Sequence, residues 1–366
     1  MSVTSDEAYM RRALALAARG VGRTSPNPAV GAVVVRGGRI VGEGYHRRAG
    51  EPHAEVIALR NAGPRARGAT LYVTLEPCCH VEKRTPPCVD MIEASGIRTV
   101  VVATGDPNPK VAGRGVARLR SKGLTVRVGV LRERATRLNE AYAHWITTGR
   151  PFVTLKVAST LDGKIAAASG ESRWITGPRA RDEVHRLRSR VDAVLVGLGT
   201  VKADDPELTA RGGRNRRNPH RVILDERLAV PPIARAVRPR QGSTAFVVAT
   251  PGAAASRRRR LESVGARVLI ARARDGVVDL RDLMRRLGAM AVTSILIEGG
   301  SEVNASALRA GIVTKVMIML APKILGGRDA VGSVGGRSPR RLSEAARLRD
   351  LTVRRAGDDV IVEGYL

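Results

Sequence analysis

The sequence predicts an α/β protein of two domains, residues 1–147 and 151–366. Short apolar runs of strand length alternate with segments of helical periodicity along most of the chain. The pattern breaks at Thr147-Thr148-Gly149-Arg150-Pro151, where Gly and Pro follow Trp145-Ile146. A chain of 366 residues is long enough for two cores of ordinary size.

In the first half, Asp6 to Arg19 sets Met10, Ala13, Leu14 and Ala17 at helical spacing behind Ser5, a candidate cap. Ala32 to Val35 and Ile40 to Gly44 flank Arg36-Gly37-Gly38-Arg39, a hairpin signal. His53 to Leu59 reads as a helix, and Leu71 to Leu75 as a strand running into Glu76-Pro77-Cys78. Pro87 suits the first turn of another helix, which buries Met91 and Ile92. Thr99 to Thr104 and Val126 to Val130 add strands, so that a three-layer α/β sheet is expected. The second half offers strands at Phe152 to Val157, Ala193 to Val196, Arg221 to Leu224, Phe246 to Ala249, Ser294 to Ile297 and Val316 to Leu320. Helical periodicity runs over Arg179 to Arg188 and Leu280 to Leu287. No internal repeat relates the halves.

His53-Ala54-Glu55, Glu76-Pro77-Cys78 and Pro86-Pro87-Cys88 follow one another within residues 53 to 88. One neutral imidazole and two thiolates give Zn²⁺ three protein ligands and leave a fourth position for water, the mark of a catalytic rather than a structural site. A water held there approaches neutrality in pKa. Glu55 can then carry protons to a departing amine, as the non-ligating Glu does in H-x-E…P-C-x-x-C deaminases. The expected ligands stand at the N-termini of the two helices and at the strand end between them. Taken singly, a His is more often structural and a Cys a small core residue. Here all three cysteines, Cys78, Cys79 and Cys88, fall inside the motif. No disulfide framework remains, and a cytoplasmic setting is expected. The polar, acidic Met1 to Tyr9 and the shortness of the apolar runs predict neither signal peptide nor membrane anchor.

The net charge of +29 invites a nucleic-acid reading, with Arg257 to Arg260 and Arg214-Asn215-Arg216-Arg217 as phosphate grips. The basic residues are, however, 55 Arg and only 8 Lys spread along the chain, and aromatics for base stacking are 2% of residues. Compositional bias and solvated faces account for the charge. A nucleic-acid base deaminase with a basic carboxy-terminal domain is the alternative, and a non-catalytic zinc scaffold a third reading. Ile297-Glu298-Gly299-Gly300-Ser301 closes a strand and opens a helix, a place where backbone amides can approach an anion. No G-x-G-x-x-G is present, and a tight turn would explain the glycines equally well.

The chain also resembles the bifunctional riboflavin-biosynthesis deaminase/reductase family over nearly all its length. The first half carries Pro26-Asn27-Pro28-Ala29-Val30-Gly31, Gly44-Tyr45-His46, Gly50-Glu51-Pro52-His53-Ala54-Glu55, Leu75-Glu76-Pro77-Cys78, Thr85-Pro86-Pro87-Cys88 and Asp106-Pro107-Asn108-Pro109. The second carries Leu161-Asp162-Gly163-Lys164, Ser169 to Thr176, Gly199-Thr200-Val201, Ala203 to Thr209, Glu298-Gly299-Gly300 and Ala321 to Gly327. The zinc motif alone leaves cytidine, guanine, dCMP and tRNA adenosine deaminases open; the second set does not.

The resemblance implies a cytidine-deaminase-like three-layer α/β/α domain followed by a dihydrofolate-reductase-like α/β domain. The first would hydrolytically deaminate 2,5-diamino-6-(5-phosphoribosylamino)pyrimidin-4(3H)-one; the second would use NADPH to reduce the ribosyl group to ribityl. It implies His53, Cys78 and Cys88 as zinc ligands, Glu55 as proton shuttle, and Asn27, His46, His80 and Thr85 around the first substrate. Ala158, Trp174, Thr200, Asp204, Gly299 and Gly300 match cofactor positions. Lys156, Ser172, Arg188, Leu208, Arg211 and Glu298 match substrate positions, with Arg188 and Arg211 as phosphate partners. A small phosphorylated pyrimidine is the expected partner, with no nucleic acid and no membrane, and a homo-oligomer is expected. One departure stands: the family usually places eight residues between its zinc cysteines, and nine separate Cys78 from Cys88. Either the loop is longer by one residue or Cys79 is the ligand in a shifted register; Cys78 keeps Glu76-Pro77-Cys78 intact at the strand end.

Overall fold

A computed structural model describes residues 3–79, 87–211 and 217–366. The chain divides into two compact units, Met1–Gly149 and Arg150–Leu366.

The first unit is built on strands β1 (Gly31–Arg36), β2 (Arg39–Tyr45), β3 (Thr70–Val73), β4 (Thr99–Val102) and β5 (Thr125–Val128), with helices α1 (Val3–Ala18), α2 (Ala54–Ala62), α3 (Cys88–Ala94), α4 (Arg114–Ser121), α5 (Arg132–Leu138) and α6 (Glu140–Thr148). The sheet order is β2-β1-β3-β4-β5. β1 is antiparallel to both its neighbours, while β3, β4 and β5 run parallel. β1, β3 and β4 read as unbroken apolar runs because both of their faces are covered. Ala32, Val34, Leu71, Val73, Val100 and Val102 pack with α2, α3 and α4. Val33, Val35, Tyr72 and Val101 face the other way, onto Met10, Ala13 and Leu14 of α1 and Ala135 of α5. Alternation along each strand thus builds the three expected layers.

Helix α2 lies unusually close to β2. A Cβ on Gly42 would fall against Ala58 O and 2.8 Å from Ala62 N, and one on Gly44 would lie 2.5 Å from Ala54 O. At these two points of β2 backbone meets backbone, while toward β1 and β3 the same helix packs through Ala54, Ala58, Leu59 and Ala62.

The second unit holds β6 (Phe152–Thr160), β7 (Lys164–Ala166), β8 (Ala193–Gly197), β9 (His220–Leu224), β10 (Ala245–Ala249), β11 (Arg267–Ile270), β12 (Ala273–Arg274), β13 (Val277–Val278), β14 (Ser294–Ile297), β15 (Lys315–Ala321), β16 (Val331–Gly332), β17 (Arg349–Ala356) and β18 (Asp359–Tyr365). Its helices are α7 (Pro178–Arg188), α8 (Leu198–Asp204), α9 (Ala255–Glu262), α10 (Leu280–Ala289) and α11 (Ser301–Arg309). Nine strands form one sheet in the order β11-β10-β9-β8-β14-β6-β15-β18-β17, parallel except where β18 pairs with β15 and β17. Val153, Leu155, Leu195, Val222, Ile295 and Ile297 face α10 and α11. Val194, Val196, Ile223, Val247 and Leu296 face Val201 of α8 and Leu261 of α9. α7 packs on Met317, Met319 and Ile361.

Several strand ends shift by one to three residues from expectation, and the starts of the two helices that carry the motif shift by one. His53 is the residue before α2 and Pro87 the residue before α3, both in extended backbone, so each caps its helix instead of sitting in the first turn. Gly42→Ala should cost about 3 kcal/mol, since α2 backbone and the Ala62 methyl, neither able to swing aside, lie in the way of the new methyl group. The transition of the first unit, followed by calorimetry, should fall by roughly 6–12 °C.

Candidate functional site

In the first unit, β3 leads to Cys78, α2 begins beside His53, and α3 opens on Cys88. His53 Nδ1 lies 3.1 Å from Cys88 Sγ and 3.5 Å from Cys78 Sγ, and the Cys88 amide donates to Cys78 Sγ at 3.4 Å. The three donor atoms all lie within 4.8 Å of one another, and among the described residues these are the three that could hold a metal ion. Tetrahedral zinc with ordinary Zn–N and Zn–S bonds needs N···S separations of about 3.5 Å, so the donor set fits. Cys79 is outside the group: it packs at the margin of the sheet core, and burial pushes its thiol pKa up.

Glu55 follows in the first turn of α2, 3% exposed, with Oε2 lacking any hydrogen-bond partner among the described residues. Burial, with Cys78 beside it, raises its carboxyl pKa, and His53 acts in the opposite sense. A buried carboxylate oxygen without a partner is costly unless water or ligand completes it. His46 stands edge-on to His53, ring centres 5.2 Å apart. Its Nδ1 is 3.2 Å from Pro52 O, which can only accept, so Nδ1 carries the proton and Nε2 accepts from Asn27 Nδ2 at 3.2 Å. Burial lowers its pKa and keeps the ring neutral. His80 and Thr85 lie outside the described residues.

Sequence reasoning missed what holds this loop. Glu76 is buried and accepts from three backbone amides, Asp106 (3.2 Å), Gly113 (3.0 Å) and Val116 (3.0 Å), which ties the strand end to the start of α4. Asp106 in turn accepts from Tyr142 at 3.1 Å, and burial raises its pKa to about 6 against that bond. Asn139 grips Ala29 through both its main-chain groups at 2.8 and 2.9 Å, steadying the segment that carries Asn27. A carboxylate directly before Pro-Cys was the available signal for the first brace; nothing in the sequence pairs Asn139 with Ala29.

The second unit has a cleft of about 900 Å³. All twelve residues expected in this half line it: Lys156, Ala158, Ser172, Trp174, Arg188, Thr200, Asp204, Leu208, Arg211, Glu298, Gly299 and Gly300. They converge because β8 and β14 are parallel neighbours whose ends open directly into α8 and α11. Neither helix start has a side-chain cap, so their first amides are offered by backbone alone. A Cβ on Gly197, the last residue of β8, would stand 2.8 Å from a Val303 methyl, and one on Gly299, two residues past β14, 2.6 Å from Val303 Cβ, so α11 approaches both positions closely. Two bare helix starts side by side fit the diphosphate of a dinucleotide.

Glu298, directly after β14, has a side chain only 8% exposed and is bound in both oxygens by Arg188, Nε to Oε1 at 2.6 Å and Nη2 to Oε2 at 3.0 Å. Lys156 Nζ lies 3.6 Å away. Burial would push Glu298 up; Arg188 and Lys156 overcome it and hold the carboxyl at about 2. Burial lowers the Lys156 pKa, with Glu298 opposing. Arg188 also donates to Thr209 O at 3.2 Å, so the fork expected to meet phosphate faces Glu298 instead. Trp174 is 63% exposed, with the Arg181 guanidinium 4.6 Å from its ring centre.

Comparison with known proteins now decides the family. The RibD C-terminal domain model matches residues 151–362, and the cytidine and deoxycytidylate deaminase zinc-binding region matches residues 3–104. The chain belongs to the RibD family. RibD riboflavin biosynthesis proteins of Aquifex aeolicus and Escherichia coli are each 44% identical to it, over 98% and 97% of this chain and 97% and 98% of theirs. An Acinetobacter baumannii RibD structure is 37% identical, covers 100% of this chain with 99% of its own, and superposes with a TM-score of 0.89. The Thermotoga maritima deaminase/reductase structure is 38% identical, with 99% of each chain covered and a TM-score of 0.88. As a RibD-family protein the chain is a bifunctional enzyme of riboflavin biosynthesis, a deaminase and a reductase with Zn²⁺ and NADPH as cofactors. The nucleic-acid alternative is not favoured. Among the described residues no helix is long and apolar enough to cross a membrane.

Glu298→Gln leaves two largely covered cations, Arg188 and Lys156, without their carboxylate and should cost about 2–4 kcal/mol at neutral pH. The native carboxyl sits below its unfolded value, so its contribution is complete above about pH 4.3 and drains as pH falls toward 2. Urea unfolding of the variant and the parent chain should therefore converge as pH falls from about 4 to about 2.

Proposed function

We propose that His53, Cys78 and Cys88 hold the zinc of the deaminase and that Glu55 is its proton carrier. The substrate of this half is 2,5-diamino-6-(5-phosphoribosylamino)pyrimidin-4(3H)-one, which loses its 2-amino group as ammonia. The single observation behind this reading is the convergence of one imidazole nitrogen and two thiols beside a buried carboxylate oxygen that has no partner among the described residues. Zinc, when bound, supplies the Lewis acidity that makes water nucleophilic near neutral pH. Glu55, in its apolar surroundings, accepts a proton at Oε2 and returns it to the departing nitrogen. His46, held by Pro52 O and Asn27, fixes the Asn27 amide, whose remaining donor and acceptor capacity is offered to the pyrimidine edge.

The second half reduces the ribosyl group of the deaminated product to ribityl, and NADPH, when bound, supplies the hydride to C1′. Thr200, Gly299 and Gly300 seat the dinucleotide phosphates at the paired helix starts; Ala158, Trp174 and Asp204 line the same cleft. Lys156, Ser172, Leu208 and Glu298 face the substrate, with Arg188 fixing the Glu298 carboxylate and Arg211 at the phosphate end. We place the enzyme in the cytoplasm, where NADPH and reduced thiols are available. A homo-oligomer is supported by Leu351 and Val353, exposed along the edge strand β17, and light scattering tests it.

The reaction is followed through two signals, ammonia release and NADPH oxidation. With the diaminopyrimidine phosphate, ammonia should appear without NADPH, and NADPH should be consumed only after deamination. Glu55→Gln should keep its zinc, by metal analysis, and lose ammonia release by about 10²–10⁴-fold, while oxidising NADPH normally on pre-deaminated substrate. Unchanged ammonia release would end this assignment. Chelation should silence ammonia release alone, and Cys88→Ser should copy chelation where Cys79→Ser does not.

A further inference from the structure

With the Arg188 fork turned to Glu298, the substrate phosphate needs a second partner beside Arg211, and the outer end of the same cleft supplies one. Glu207 gathers three guanidiniums: Arg235 Nη2 at 2.6 Å and Arg240 Nη2 at 3.5 Å from Oε1, and Arg211 Nη2 at 2.9 Å from Oε2. Glu207, Arg211 and Arg235 all line the cleft. Arg235 is also anchored through its main chain, its amide donating to Asp205 Oδ1 at 2.8 Å just past the end of α8. Even with Asp205 counted, the cluster keeps a positive surplus. Arg240 is half-buried behind it, and its Nε has no partner among the described residues.

A network serving stability alone gains most from neutrality and gains little at an exposed rim. This one is unbalanced, opens on a ligand cleft and faces the two oxygens of one carboxylate with two guanidiniums. A phosphate monoester carries about 1.5–2 negative charges and three acceptor oxygens, so it can accept everything Glu207 accepts and more. We propose that Arg211 and Arg235 form the phosphate clamp of the reductase cleft, with Glu207 occupying the clamp until the 5′-phosphate of the substrate arrives. The assignment rests on the reading that this cleft binds a phosphorylated ribosylaminopyrimidine. It adds Arg235 to the substrate-binding residues and gives Glu207 the part of an internal competitor.

The test uses the zinc-loaded full chain and three phosphate probes: pre-deaminated ribosylaminopyrimidine 5′-phosphate as substrate, inorganic phosphate as inhibitor, and ribose 5-phosphate titrated calorimetrically. Arg235→Met should raise the reductase KM about 10- to 100-fold, the scale of one lost charge-assisted hydrogen bond, with kcat within about twofold. The inhibition constant of inorganic phosphate should rise in parallel, and Arg235→Lys should restore part of both. Glu207→Gln should tighten inorganic phosphate; weaker binding would overturn the competitor role. If Arg235→Met leaves KM and the phosphate constant unchanged while Arg211→Met shifts both, the clamp assignment is wrong and the reductase reading stands. A fall in kcat without any change in phosphate binding likewise rejects it, leaving Arg235 a structural residue. Should the unaltered enzyme oxidise no NADPH, the reductase reading fails; the calorimetric loss of ribose 5-phosphate binding in Arg235→Met still decides the clamp by itself.

Discussion

Each unit depends on a glutamate side chain covered where a parallel strand ends. A carboxylate there cannot remain without partners, because removing its charge from water costs several kcal/mol unless donors surround it. In the first unit the donors are three backbone amides on Glu76; in the second they are the Arg188 fork and Lys156 on Glu298. Meeting that demand fixes the chain around each carboxylate, and residues to which the chemistry is assigned follow at once. Cys78 lies two positions beyond Glu76, and Gly299-Gly300 follow Glu298 directly. The helix starts at Ala54, Cys88, Leu198 and Ser301 then present ligand atoms or bare amides at known positions relative to the sheets.

The two halves differ in how much of this could be read in the sequence. Metal coordination demands unusual residue types at short spacing, so His53, Glu55, Cys78 and Cys88 stand out within one stretch. The expected residues of the second unit's cleft are instead of ordinary types, scattered from Lys156 to Gly300. Its best polar anchor, Arg188, is one of 55 arginines and is distinguished only by facing Glu298 across the fold. The central strands were legible because burial on both faces makes them continuous apolar runs. β17 was not: seven of its eight residues are exposed, and no alternation survives in Arg349–Ala356. Helix α9, with four consecutive arginines and one buried leucine, lacked an apolar stripe for the same reason.

The excess of arginine has a structural consequence of its own. With 34 carboxylates for 63 basic side chains, acids are the scarce partner and become hubs. Glu207 serves three arginines, Asp282 binds Arg285 and Arg286, and Glu183 is shared by Arg186 and Arg354. Such hubs leave positive edges, and where a hub stands at a cleft mouth the edge becomes chemically useful. The high charge is thus organised locally, around acids, more than as one continuous face.

The bare contact between α2 and β2 sets a limit on how the first site can change. Most enzymes can enlarge or tilt a pocket by repacking the side-chain layer beneath a helix, which acts as an adjustable shim. Beneath α2 at Gly42 and Gly44 there is no such layer, and there the helix that presents His53 and Glu55 rests directly on the sheet backbone. The spacing between His53 and Glu55 is therefore a fixed datum of the fold. Under the proposed roles, new substrate preferences in this half would have to arise away from α2, through positions such as Asn27 and His46, while His53 and Glu55 keep their places.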